Sequence, residues 1–202
     1  MAISRRRARM STPRQGGRIG RHDRCPTVPV VDASEDAPDD AVRRQLDELG
    51  VPHEIVPCDP ALADTAAFCA AYGYALEDSA NTIVVVGKPS GGRPPVYVAC
   101  VVLATTRLDV NGAVRRRLGV KKASFASADE TRALTGMSIG GVTVFGLPAG
   151  VPIWVDAAVM DRPRIVLGGG SRRCKVITPP ASLHKIDGVE VVVGMSTPVS
   201  GG

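Results

Sequence analysis

Apolar and polar positions alternate along this chain with two periods, and the changes between them predict its elements. Val42, Leu46 and Leu49 fall at i, i+4 and i+7, one buried stripe of a helix running from Pro38 to Gly50. Asp39 and Asp40 complement the dipole of its first turn. His53–Val56 reads as a short strand, and a second helix is expected from Thr65 to Gly73 with Asp64 as its cap. Asn81–Gly87 and Pro95–Leu103 are Val-rich runs separated by Lys-Pro-Ser-Gly-Gly-Arg-Pro, which predicts a hairpin with a loose turn. Asp109 opens a helix carrying Val110, Val114 and Leu118 and stopped by Gly119. Ser127-x-x-Glu130 is a capping box opening another, stopped by Gly136. Strands follow at Ile153–Val155, Arg164–Leu167 and Lys175–Ile177, then a helix from Thr178-Pro179 and a last strand at Val189–Val193. Short strands interleaved with helices, two of them adjacent, predict an α+β fold built on a mixed sheet.

The periodicity covers residues 36–194, which read as one domain. Residues 1–35 hold Arg, Gly, Pro and Ser without a period and read as a disordered tail, and residues 195–202 are expected to fray. Charge sharpens this division. In the first 24 residues Arg5, Arg6, Arg7, Arg9, Arg14, Arg18, Arg21 and Arg24 face only Asp23, giving that segment +7 and leaving −2 for the rest of a chain whose total is +5. An Arg-rich arm suits RNA phosphates. A solvated extension, or a segment upstream of a start at Met10, is the alternative. No apolar region follows the arginines as an export signal requires, and no run approaches the roughly 18 apolar residues of a membrane span. Five cysteines (Cys25, Cys58, Cys69, Cys100, Cys174) without a C-x-x-C pair imply reduced thiols and a cytoplasmic location, with Cys69 and Cys100 as core residues.

Between Leu134 and Asp156 the periodicity yields to glycine: Gly136, Gly140, Gly141, Gly146 and Gly150 lie among apolar residues. Such a loop can form a site from backbone N–H groups, or it can be a long ordered connection. Gly168-Gly169-Gly170-Ser171-Arg172-Arg173 follows a strand and reads either as an anion nest flanked by arginine or as an ordinary hairpin turn. Thr143 carries the one hydroxyl in the segment Gly140–Val144. The three histidines, His22, His53 and His184, form no metal-ligand spacing with cysteine or carboxylate, and neither a G-x-S-x-G elbow nor a P-loop occurs. No metal and no cofactor is expected.

The ordered set Asn81-Thr82-Ile83-Val84-Val85, Arg107-Leu108-Asp109-Val110, Leu118-Gly119-Val120-Lys121-Lys122, Thr135-Gly136, Ile139-Gly140-Gly141-Val142, Phe145-Gly146-Leu147-Pro148, Pro152-Ile153-Trp154-Val155-Asp156 and Gly168-Gly169-Gly170-Ser171-Arg172 resembles the YbaK family. Those proteins are relatives of the editing domain of bacterial prolyl-tRNA synthetase and hydrolyse wrongly charged aminoacyl-tRNAs. The resemblance spans Val42 to Val193 and implies a curled, barrel-like mixed sheet with helices outside. It implies a metal-free deacylase acting on the acceptor end of an aminoacyl-tRNA, with a synthetase as a further partner. The amino acid removed is expected to be small (alanine, cysteine or serine), on a tRNA such as tRNA-Pro.

By the same resemblance, Asn81 and Ile83 face the substrate. The loop Gly140, Gly141, Val142, Thr143 holds the ester carbonyl, with Phe145 and Gly146 beside it; independently of the resemblance, the one hydroxyl of the loop makes Thr143 a candidate to orient water or the substrate amine. Asp156 is a pocket-side carboxylate, its alternative being a helix cap for Ala157–Met160. Gly169, Gly170, Ser171 and Arg172 lie near the terminal nucleotide. Asn81 stands where many members carry lysine, and Val144 where the glycine loop usually closes with proline. Two readings therefore stand together, a trans-acting deacylase and a catalytically silent module that binds aminoacyl-tRNA or an aminoacyl-like ligand.

Overall fold

The computed structural model of the protein describes residues 37–199; the Arg-rich tail of the sequence analysis lies outside them. The first helix, α1 (Ala37–Leu49), buries Val42 and Leu46 as the stripe requires. Burying one such leucine is worth about 1.5–3 kcal/mol. Next come β1 (Glu54–Pro57), α2 (Thr65–Tyr72), and the antiparallel hairpin β2 (Ala80–Lys88) and β3 (Val96–Leu103). Asp64 stands at the N-cap of α2 without capping it, because its carboxylate turns 2.9 Å from Arg172 Nη1. β4 (Thr106–Leu108) leads into a helical turn in which Val114 N–H reaches back five residues to Asp109 O, continued by α3 (Arg115–Leu118). The widening follows from Asp109, whose carboxylate accepts both the Gly112 and Ala113 N–H groups.

β5 (Lys122–Phe125) and α4 (Ala128–Thr135) follow, with both halves of the Ser127/Glu130 capping box formed. The remaining elements are β6 (Ile153–Asp156), α5 (Ala157–Met160), β7 (Ile165–Gly168), β8 (Cys174–Thr178), β9 (Val189–Val192) and β10 (Ser196–Pro198). The expected helix after Thr178 is a 3₁₀ segment, Pro180–Lys185, with proline at its first position. The expected fraying of residues 195–202 is corrected for 195–198, where β10 pairs with β4 and Met195 is fully buried; residues 200–202 lie outside the described residues.

The main sheet has the order β5-β2-β3-β6-β9, antiparallel on the β2 side and parallel at β3–β6 and β6–β9. Both of its faces are covered, which explains the unbroken apolar run of β3. Ala99, Val101 and Leu103 join the core with α1, whereas Val98, Cys100 and Val102 pack with Trp154, Leu108 and Met195. A second, antiparallel sheet, β1-β8-β7, meets the first through a single bridge between Ser79 and Val166. Arg162 clamps the junction, donating to Asp78 Oδ1 from Nη2 at 2.7 Å and from Nε at 3.1 Å. The result is the α+β architecture with a curled mixed sheet and helices packed against it. No helix among the described residues is long and apolar enough to cross a membrane.

Candidate functional site

β5 pairs only with Val85–Lys88, so the Ala80–Val84 edge of β2 is left without a strand neighbour on that side. A cavity of about 360 Å³ occupies this gap, between the β2 edge, β7, the start of α2 and the glycine loop. Val84 O accepts the Ala126 N–H on this side. Strand alternation therefore turns the main-chain N–H and C=O of Thr82 the same way, toward the cavity. The Thr82 hydroxyl is buried and has no partner among the described residues.

Asn81, Ile83, Gly140 and Val142 all line this cavity. Thr65 Oγ1 donates to Asn81 Oδ1 at 2.9 Å, which fixes the amide and leaves its NH₂ group for other partners. In the glycine loop, the Gly141 N–H is committed to Ser138 O in a turn. The Val142 N–H has no protein acceptor among the described residues, and Val142 lines the cavity. Gly140 adopts φ +89° directly over the Arg172 guanidinium, where a side chain would collide with Nη1. At Gly141 a Cβ would meet Ser171 O at 2.1 Å, because this loop packs backbone to backbone on the glycine turn after β7.

Other residues of the sequence-based set lie away from the cavity wall. Thr143 and Phe145 are fully buried in the core, so the hydroxyl expected to orient water is enclosed instead. Val144 is enclosed beside them, its side chain part of the core. Gly146 donates to Gln45 Oε1 of α1. Asp156 caps α5 through the Ala158 N–H at 3.0 Å, the helix-cap alternative of the sequence analysis.

The turn Gly169-Gly170-Ser171-Arg172 also differs from an open anion nest. The Ser171 N–H and hydroxyl donate to the two carboxylate oxygens of Asp39 at 2.7 and 2.8 Å, and the Gly170 N–H donates to Gly141 O. Its occupant is thus a carboxylate of the chain itself. Arg172 is tied to Asp64 and to Pro60 O.

Sequence reasoning missed Lys175. This residue of β8 is only 5% exposed, lines the cavity, and donates from Nζ to Ala63 O at 2.7 Å and Gly140 O at 2.8 Å. Burial pushes its pKa below the usual lysine range; Arg172 adds to this, and Cys58, Asp64 and Cys174 oppose it. The available signal was a cation sharing its strand face with apolar Ile177. Also missed were Phe125 and Ile139, 58% and 55% exposed at the cavity mouth. Cys100 and Cys174 make poor nucleophiles: burial pushes Cys100 to about 12 and, with the nearby Asp39 carboxylate, Cys174 to about 11.

Solved structures share this architecture. One, called the hypothetical protein APE2540, aligns with a TM-score of 0.68 at 23% identity over 78% of this chain and 99% of its own. Another, an inferred trans-editing enzyme for prolyl tRNA synthetase, aligns with a TM-score of 0.66 at 24% identity over 80% and 98%. At these identities they establish the fold. Residues 59–186, more than half of the chain, match the model of the aminoacyl-tRNA editing domain, and the protein therefore belongs to that family.

Proposed function

We propose that this protein is a trans-acting editing hydrolase, cleaving the ester of a tRNA wrongly charged with a small amino acid. What supports this most is the chemistry of the cavity in a chain of the editing family. It offers main-chain donors and acceptors on a strand edge, one loop N–H and a buried ammonium, with no nucleophilic thiol. Such a lining suits attack by water on a carbonyl whose developing charge is held by preset donors. The acceptor end of the tRNA enters past Phe125 and Ile139, with the terminal base on the exposed phenyl ring. Lys88, Arg115, Lys121 and Lys122 line a neighbouring depression on the β2–β5 edge and suit the phosphates behind it. The Arg-rich tail would extend this contact in a cytoplasmic protein, and a synthetase, with tRNA-Pro among the candidates, would supply the charged tRNA.

The second reading, a module that binds without turnover, is favoured by one observation. The position from which the family's lysine would reach the substrate holds a neutral amide fixed by Thr65. Deacylation of a panel of tRNAs carrying alanine, cysteine or serine, by the wild type and Asn81→Lys, separates the two. Turnover by the wild type is expected, with the variant about ten-fold faster, the difference between a charged and a neutral hydrogen bond. Turnover by the variant alone selects the binding module, and inactivity of both removes the hydrolase.

Phe125→Ala is expected to weaken binding of the charged tRNA about 5- to 150-fold, the range for losing one stacked base. Fluorescence anisotropy at fixed salt measures it, and unchanged affinity would place the terminal base elsewhere.

A further inference from the structure

Lysine side chains are almost never fully buried unless paired. Lys175 is buried with two main-chain carbonyls as its acceptors and no carboxylate within salt-bridge distance among the described residues. Its third N–H has no protein acceptor among those residues, and the side chain lines the cavity. The ammonium lies 5.8 Å from the centre of the Phe68 ring, which shields it from solvent on that flank. One of its two bonds holds Gly140, two residues from the free Val142 N–H, so cation and loop donor are mechanically linked.

We infer that Lys175 is the catalytic cation of this site, supplying from β8 the charge that the chain lacks at Asn81. The inference rests on the deacylase reading. Water adds its oxygen to the ester carbonyl carbon, and the negative charge that develops on the carbonyl oxygen is held by Lys175 and the Val142 N–H. The carbon–oxygen bond to the ribose then breaks, and the ribose oxygen leaves with a proton from that water. Lys175 keeps its own proton throughout.

Lys175→Gln removes the charge and keeps an N–H donor; Lys175→Arg keeps the charge. Single-turnover deacylation by the full chain is expected to fall about 10- to 100-fold in Lys175→Gln, the cost of replacing a charged donor by a neutral one. Affinity for the charged tRNA should change less than three-fold. The wild-type rate should lose its enzymatic part at alkaline pH, as the ammonium surrenders its proton below the ordinary lysine range. Cys58, Cys174, Arg172 and Asp64 face the ammonium and set where that limb falls, and Lys175→Arg should remove the limb.

A second readout does not need turnover. An aminoacyl-adenosine analogue with a phosphonate at the carbonyl position carries the charge of the intermediate, whereas the amide analogue does not. Lys175→Gln should lose about 10- to 100-fold in affinity for the phosphonate and little for the amide, with thermal melts verifying the fold. Equal loss for both analogues, or an undiminished rate in Lys175→Gln beside an active wild type, overturns the role of Lys175 and leaves the deacylase reading standing. A wild type that neither hydrolyses charged tRNA nor binds either analogue overturns both.

Discussion

Gly141→Ala should destabilise the domain by about 4 kcal/mol or more, beyond the ordinary range for point substitutions. The added Cβ would lie 2.1 Å from Ser171 O and 2.3 Å from Ser171 C, backbone atoms that cannot step aside as a flexible side chain would. Relief requires parting the glycine loop from the turn after β7. The Gly170 N–H bond to Gly141 O and the Ser171 N–H bond to Asp39 both resist that movement. For a domain of this size the melting temperature should fall by roughly 10 °C, at about 2–4 °C per kcal/mol. Calorimetry checks it, and a melt within 2 °C of the wild type would show that the two loops are not in rigid contact.

Asp39→Ala is the second large effect. The carboxylate joins the first turn of α1 to Ser171, 132 residues away, and its loss strands a buried N–H and a hydroxyl. Leaving a buried donor unsatisfied costs about 1–3 kcal/mol each, so a loss of about 2–5 kcal/mol is expected in urea unfolding. Ser171→Ala removes the hydroxyl, which donates to Asp39 and accepts the Arg173 N–H, but keeps the Ser171 N–H bond to Asp39, and should cost less. If the two variants lose equally, the bonds of the Ser171 hydroxyl carry the linkage and the N–H bond to Asp39 adds nothing. Asp39→Ala should also reduce deacylation, because the turn it anchors supports Gly141 and, through it, the Val142 donor.

The local features of this fold were legible because each is written in a few consecutive residues. The Val42/Leu46 stripe, the Ser127/Glu130 box and the glycine stops at Gly73, Gly119 and Gly136 depend on neighbours within one or two turns, and all three glycines are left-handed as expected. The ordered motifs carried the family as well. The C-terminal strand was illegible for the opposite reason. Ser196–Pro198 has no strand character of its own and becomes ordered by pairing with Thr106–Leu108, nearly ninety residues upstream.

The site divides along the same line. The sequence by itself marked a glycine loop and a strand opened by Asn81, because glycine density and strand period are properties of the string; that the two face one substrate was what the resemblance to the YbaK family implied. Only the tertiary structure decided which of those groups remain available. The Gly141 and Ser171 N–H groups are consumed by Ser138 and Asp39, Thr143 is enclosed, and Asp156 caps a helix. It also decided where the charge lies: Lys175 reads as one more cation in a basic segment until β8 turns it inward between Ala63 and Gly140. Hydrogen bonds between residues 35 to 132 positions apart leave no mark in local pattern, since their energy appears only once the chain has brought the partners together.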